Sequence, residues 1–394
     1  MRILFLHEVN YLEKPIFEMH EFPEHLALRG HQVGFVQFPE GWDKAKIKSQ
    51  GFKSEIQGRV VPQARITLYT PQLASGSLFG RLLTALTFGS AFKKVVDDFR
   101  PDVIVSFSVP TSGWQALRVA MQRKIPYVFR ALDVSHKIRK NLFSRLIFIA
   151  EKYVYKNATW VSANNPAMAK YCMSMGAEPK RISVDLPPID LEHFGRASGH
   201  RKEIRKTLGL DQNHQVILYM GSFFYFSGLP EFVREFAKRA SGNQRLVLIG
   251  GGEQERELRK LVSELDVDEK VIFTGFVSFG DLPRYLSAAD VAINTMHRSL
   301  VSNAALPNKV IQYLAAGLPV VSTDLDGLRF TLGLASELTL VEHSEDLFGS
   351  VIKVLAKKSK KSLPSLSLNP EITYMASKAV INFENLCRTI VSAS

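Results

Sequence analysis

Few residues in this sequence are placed to handle a charged ligand, and the clearest is Lys309 in LPNKVIQYLAAGLPVVST (306–323). Pro307 suits a first helical turn, where its missing N–H is not needed, and Gly317 with Pro319 ends the helix about three turns on. A cation in a first turn opposes the helix dipole unless an anion neutralises both, which a diphosphate would do. Gln312 follows three residues later on the same side of the helix. The alternative is a lysine facing solvent on a short crossover helix. Two glycine clusters offer related chemistry. Gly221-Ser222 ends an apolar run and Ser227-Gly228-Leu229-Pro230 opens a helical segment, so backbone N–H groups could approach an anion closely. Gly250-Gly251-Gly252 is half of a GxGxxG fingerprint, in mid-chain and without its third glycine, which argues against a dinucleotide site. No HExxH or CxxC spacing occurs, so no metal is expected, and the distant Cys172 and Cys387 suit a reducing compartment.

The elements that must position these residues follow an alternating pattern. Short β-branched runs at 3–6, 33–38, 103–107, 127–129, 159–163 and 182–186 read as buried strands, with helical periodicity between several of them, as in Leu78–Phe99 and Leu142–Tyr155. A second series follows at 216–220, 246–250, 271–276, 291–294, 319–323 and 338–342. The alternation predicts an α/β chain of two doubly wound parallel-sheet domains, at 1–195 and 196–368, with a hinge near 190–205 and a last helical segment at 369–394. Such sheets bind ligands at the carboxyl ends of their strands, where the glycine clusters and Lys309 fall.

Composition narrows the class. With 394 residues and 46% hydrophobic content the chain can build two cores. MRILFL is too short an apolar run for a signal peptide and no later run approaches ~20 residues, so a cytosolic location without a membrane span is expected. The net charge of +12 is uneven: residues 1–195 hold 26 Lys and Arg against 17 Asp and Glu. That excess suggests an anionic partner for the first domain, either a phosphorylated acceptor or an acidic membrane surface, or else a merely solvated face. Nucleic acid is not expected, since zinc-finger spacing, RNP-like aromatics and long basic arms are missing.

VIFTGFVSFGDLPRYLSAADVAIN (271–294), followed by PNKVIQYLAAGLPVVST, resembles the donor half of retaining GT-B glycosyltransferases of family 4. RISVDLPPIDLEHF (181–194) is similar to the segment that closes their N-terminal domain, and GHQV (30–33) to the end of their first βα unit. The resemblance implies two facing Rossmann-like domains, with a nucleotide-sugar, UDP- or GDP-linked, held by the second. It implies an acceptor on the first and a C-terminal helix that crosses back, for which Glu371–Ser394 is the candidate. It places the nucleobase against the backbone of Phe276 and Val277, and the diphosphate near Gly221, Ser222, Ser227, Gly228 and Gly251. Gln312 stands where relatives have a ribose-binding glutamate, Ala304 where they have its partner glutamate, and Ser227 where they have a lysine. Lys309 and Arg298 are then the cations left for the diphosphate. In YVFRALDVSHKIRK (127–140) Asp133 matches the aspartate of a turn facing the donor, and His136 lies in reach of that loop. HEVNYLEKPIFEMHEFPEHLALRGH (7–31) occupies the place of a glycine-rich acceptor loop without its paired glycines, leaving Glu18, His20 and Glu21 to face acceptor. Asp324-Leu325-Asp326 spells the metal-binding DxD of a different glycosyltransferase fold, but it reads here as an ordinary strand-to-helix loop.

The implied reaction is transfer with retention, by front-face attack while the departing phosphate takes the acceptor proton. Fixed cations would stabilise the leaving diphosphate and closure about the hinge would exclude water. The expected acceptor is a lipid-linked or polysaccharide-precursor glycan. A nucleotide-sugar 2-epimerase and a non-catalytic binding subunit remain as alternatives. KIRKNLFSRLIFIAEKYVYK (137–156) sets Lys137, Arg139, Lys140 and Arg145 beside Leu142, Phe143, Leu146, Ile147 and Ile149, which suits an anionic membrane surface unless those apolar residues face the core.

Overall fold

The computed structural model describes residues 1–38, 51–71, 78–109, 111–138, 143–195, 199–343, 346–358 and 370–393. The apolar runs form two sheets. The first contains β1 (Arg2–Leu6), β2 (Gln32–Val36), β3 (Lys53–Gln57), β4 (Arg65–Tyr69), β5 (Val103–Ser106), β6 (Tyr127–Ala131), β7 (Trp160–Ala163) and β8 (Ile182–Val184), in the order β3-β4-β2-β1-β5-β6-β7-β8. The second contains β9 (Gln215–Met220), β10 (Gln244–Ile249), β11 (Val271–Gly275), β12 (Val291–Asn294), β13 (Val320–Thr323) and β14 (Leu338–Val341), in the order β11-β10-β9-β12-β13-β14. All pairings are parallel except β3 with β4. Parallel strands need crossovers, and helices between them bury both faces; β5, β6, β12 and β13 are accordingly buried throughout.

The chain divides into two compact units, Met1–Pro188 with Lys378–Ser394, and Ile189–Ser377. The core of the first joins Phe5, Phe22, Phe35 and Val105 to Phe383, Cys387 and Ile390 of the last helix, Pro370–Ser392. Phe383 meets Phe22 with ring centroids 4.6 Å apart, and Glu384 accepts from Arg29 and from His31 Nε2 at 3.0 Å. The core of the second unit centres on Ile217, Tyr219, Leu248 and Ile293 with Phe232 and Phe236 of the helix Leu229–Arg239.

Three local readings need correction. The strands β3 and β4 are absent from the pattern reading: KSEIQ is a mostly exposed edge strand with no apolar alternation to reveal it, whereas RITLY does bury Ile66 and Leu68 in alternation but over a run of only five residues. The helix expected at Leu142–Tyr155 runs Ser144–Asn157. Pro307 is the residue before the helix Asn308–Ala315 rather than inside its first turn. Its other end follows the sequence: Gly317 takes φ +73° and its N–H, with that of Leu318, caps the carbonyls of Leu314 and Tyr313.

Candidate functional site

The order of the second sheet reverses at β9, whose neighbours are β10 and β12, and the open residues gather at that strand's carboxyl end. Tyr313 pins the helix Asn308–Ala315 there, its hydroxyl accepting from the Met220 N–H at 2.6 Å. Lys309 lies one turn earlier on the same helical face and so sits over the strand end. Its Nζ is 4.0 Å from the centroid of the Tyr219 ring, and a Cβ added to Gly221 would come 3.4 Å from that nitrogen. Burial lowers the Lys309 ammonium to about 7. Among the described residues no carboxylate forms an ion pair with it. The contact that stands in is the π face of Tyr219, a weak partner for a half-buried charge.

The surrounding loops are shaped by close backbone approach. Gly228 has φ +69°, and a Cβ there would lie 1.9 Å from the Thr295 carbonyl oxygen, so the two loops touch through backbone that only glycine permits. Gly250 plays the same part against Gly221, at 2.2 Å from its carbonyl oxygen. Ser227 is buried and occupied, its Oγ accepting from Leu229 N–H at 3.3 Å and its carbonyl from Thr295 Oγ1 at 2.6 Å. Ser222 accepts from the Tyr219 hydroxyl through its carbonyl at 3.2 Å. Phe276 is 68% exposed beside Gly251, where a Cβ would come 3.1 Å from its ring, and Val277 next to it is half-buried. Gln312 is half-buried one turn beyond Lys309, and Ala304 is buried at the end of the helix Leu300–Ala304. Arg298 is exposed in the loop after β12, and no hydrogen bond or ion pair among the described residues ties it to this group. Two buried acceptors at the ends of β12 and β13, Asn294 Oδ1 and Thr323 Oγ1, have no hydrogen-bond partner.

The first unit treats its strand ends differently. Glu18, His20 and Glu21, expected to face acceptor, are all buried in the helix Glu18–Leu28. Glu18 pairs with Arg130, whose Nε donates to it at 2.9 Å, and Arg130 also reaches Ser162 Oγ and the Asp185 carbonyl. His20 accepts from Phe17 N–H at 3.3 Å and turns its Nε2 to the Tyr11 carbonyl at 2.8 Å; burial lowers it to about 4. Glu18 and His20 are therefore consumed in holding the loop. Asp133 remains solvent-accessible, and the dense protein around it, followed by the charges of Glu18 and Glu151, raises its carboxyl to about 6. His136 lies in the adjoining helix Ser135–Ile138, its Nδ1 2.8 Å from Glu151. Glu151 is buried and also accepts from the N–H groups of Ser135 and His136 and from the Tyr171 hydroxyl, which fixes the imidazole's orientation. Tyr219, Tyr313 and Glu151 escape pattern reading as site residues, since each looks like an ordinary core or helix position. Asp324, the first of the DxD residues, is buried in an ion pair with Arg329, as befits a strand-to-helix loop.

Residues 214–357 match the family described as glycosyl transferases group 1, and residues 19–184 match a glycosyl transferase 4-like domain. The chain belongs to the group 1 glycosyltransferase family. Its two sheets have the GT-B fold: sucrose-phosphate synthase from Thermosynechococcus elongatus superposes with a TM-score of 0.79 over 100% of this chain and 99% of that one, at 19% identity. HepE of Anabaena, solved in complex with UDP and glucose, gives 0.73 over 100% of both chains at 18% identity. An uncharacterised glycosyltransferase of Methanocaldococcus jannaschii is 30% identical over 177 residues, 44% of each chain. The chain thus spans about half the length of the curated relatives it matches. Within the GT-B frame, the Lys309 cluster belongs to the half matched by the group 1 domain.

Proposed function

We propose that this group 1 glycosyltransferase binds a nucleotide-diphospho-sugar at the carboxyl end of β9 and transfers the sugar with retention to a glycan acceptor. The observation that carries the reading is the half-buried Lys309 ammonium, its pKa lowered by the protein around it, with no carboxylate paired to it among the described residues and held beside Gly221. A ligand diphosphate supplies the missing counter-charge, and backbone N–H groups of the loops opened by Gly221 and Gly228 supply hydrogen bonds to it. The exposed ring and backbone of Phe276, with Val277, receive the base, and Gln312 accepts or donates to the ribose. UDP is favoured over GDP by the likeness to HepE, which holds UDP in its solved complex. The reading calls on no metal ion: as the glycosidic bond to phosphate breaks, Lys309 stabilises the charge developing on the leaving diphosphate, and that phosphate takes the acceptor proton. Asp133 and His136 remain candidates on the first unit, His136 being oriented by Glu151. The acceptor we favour is a lipid-linked or polysaccharide-precursor glycan.

Calorimetry with UDP and UDP-sugars tests the site. Lys309→Ala should weaken UDP binding by roughly 1.5–3 kcal/mol, the range for a charge-assisted hydrogen bond, with uridine affinity nearly unchanged. Equal UDP affinity in both proteins removes Lys309 from the site. Ala304, in place of the usual carboxylate, favours a second reading in which donor binds without turnover. UDP-sugar binding with neither transfer to glycan nor epimerisation would select it.

A further inference from the structure

We propose that three helices of the first unit, Leu78–Phe99, Gly113–Arg123 and Ser144–Asn157, together form a face that docks on an anionic lipid bilayer. They lie side by side. Gly89 N–H donates to Gln115 Oε1 at 2.9 Å, Arg123 pairs with Asp97 at 2.7 Å, and the Tyr153 hydroxyl meets Met121 Sδ at 3.9 Å. Their outer surface carries large apolar side chains left in water: Leu83 is 41% exposed, Leu86 67%, Met121 53%, Leu146 58% and Ile149 63%. The inward-facing alternative for the last two therefore does not hold. Arg139, Lys140 and Leu142 of the same sequence segment lie outside the described residues.

Charge selects the occupant. Lys94, Arg118, Lys124, Arg145 and Lys152 are exposed on these helices and just beyond one of them, with the Arg118 guanidinium 5.8 Å from the Trp114 ring centroid. The three helices carry only three carboxylates in sequence, and each is engaged: Asp97 by Arg123, Asp98 by Lys53 and Tyr69, and Glu151 by His136 in the interior. An apolar stripe among cations, with no unengaged acid on these helices, matches acyl chains bordered by acidic headgroups. A second copy of the chain fits poorly, since a two-fold contact would set the same cations against one another. The inference deepens the lipid-linked acceptor reading, resting on it only for what the bilayer presents.

Co-sedimentation of the full chain with phosphatidylcholine vesicles and with mixed phosphatidylglycerol–phosphatidylcholine vesicles tests it, UDP-induced thermal shift on the same samples reporting fold and donor site separately. Binding at low salt should be about tenfold or more tighter on the anionic vesicles and should fall as salt rises. Leu146→Glu with Ile149→Glu, and separately Lys94→Gln with Arg145→Gln and Lys152→Gln, should each abolish most of that binding while the UDP shift stays as in the parent. Equal recovery on both vesicle types, or unchanged binding in both variants, overturns the proposal. So does a concentration-dependent dimer that Leu146→Glu dissolves, which would assign the face to a second copy.

Discussion

The carboxyl ends of the two sheets are built from similar strand-to-helix loops but are finished in opposite ways. In the first unit the space is filled by the chain's own side chains: Glu18 with Arg130, His20 against Tyr11 and Phe17, Glu8 accepting from the N–H groups of Thr111 and Ser112. In the second, Gly228 and Gly250 bring backbone to backbone, and among the described residues Lys309 Nζ, set against the Tyr219 ring, has no carboxylate partner and Asn294 Oδ1 no hydrogen-bond partner. A buried group is normally satisfied because leaving it unmade costs on the order of 1–3 kcal/mol. On the proposed function, the valences left open beside the glycine loops are where a ligand would bind and the polar network of the first unit is scaffold, with the buried, unpartnered Ser108 Oγ just after β5 as an exception on that side.

The contrast can be broken most forcefully in the first unit. Glu18→Gln leaves Arg130 as a buried charge without its carboxylate, and should cost roughly 3 kcal/mol in chemical denaturation while UDP affinity stays put. Full stability with acceptor use lost would return Glu18 to the ligand's side. A pair of glycines gives the next effect. Gly228→Ala forces a Cβ onto the Thr295 carbonyl and should cost about 2–3 kcal/mol and most UDP binding. Gly30→Ala, at φ +86° with nothing within 4 Å, should cost only about 1 kcal/mol and leave binding intact. Similar losses in the two proteins would mean that the loop contact at Gly228 carries no special constraint. The smallest effect concerns Lys309 itself. Its folded pKa of about 7 lies below the ordinary 10.5, so between those values the unfolded chain holds more protons and stability rises with pH. Lys309→Met removes that penalty and should raise Tm by about 2–4 °C at pH 7, roughly 1 kcal/mol since the side chain is only half-buried, with the gain shrinking toward pH 10.5. A variant less stable than its parent at pH 7 would show that the lysine is satisfied in the free protein.

How far the sequence reveals this depends on the physical signal involved. The buried strands are continuous apolar runs, so the GT-B sheets are legible from periodicity, whereas the exposed β3 carries no such run and is invisible to it. Lys309 and Gly228 stand out because each breaks a local rule, a cation at a helix start and a glycine just before one. Glu18, His20 and Glu21 mislead for the complementary reason: polar residues in a loop-like segment look available, and only the fold shows Arg130, 112 positions away, reaching Glu18. Tyr313 and Glu151 act through contacts 93 and 15 residues distant, respectively, and no local spacing announces either.

The last helix closes against the first unit, with Phe383 on Phe22 and Glu384 on Arg29 and His31. On a ribosome this inverts the order of completion. The second unit, Ile189–Ser377, is continuous in sequence and can finish as it emerges. The earlier sheet must wait, its Phe22 and Leu26 face uncovered, while those intervening residues are made, an interval of roughly 10–40 s at ordinary elongation rates. For that time the nascent chain carries an apolar surface that only its own distant end can cover, and a chaperone that shields the helix Glu18–Leu28 would be acting on the half of the molecule synthesised first but folded last.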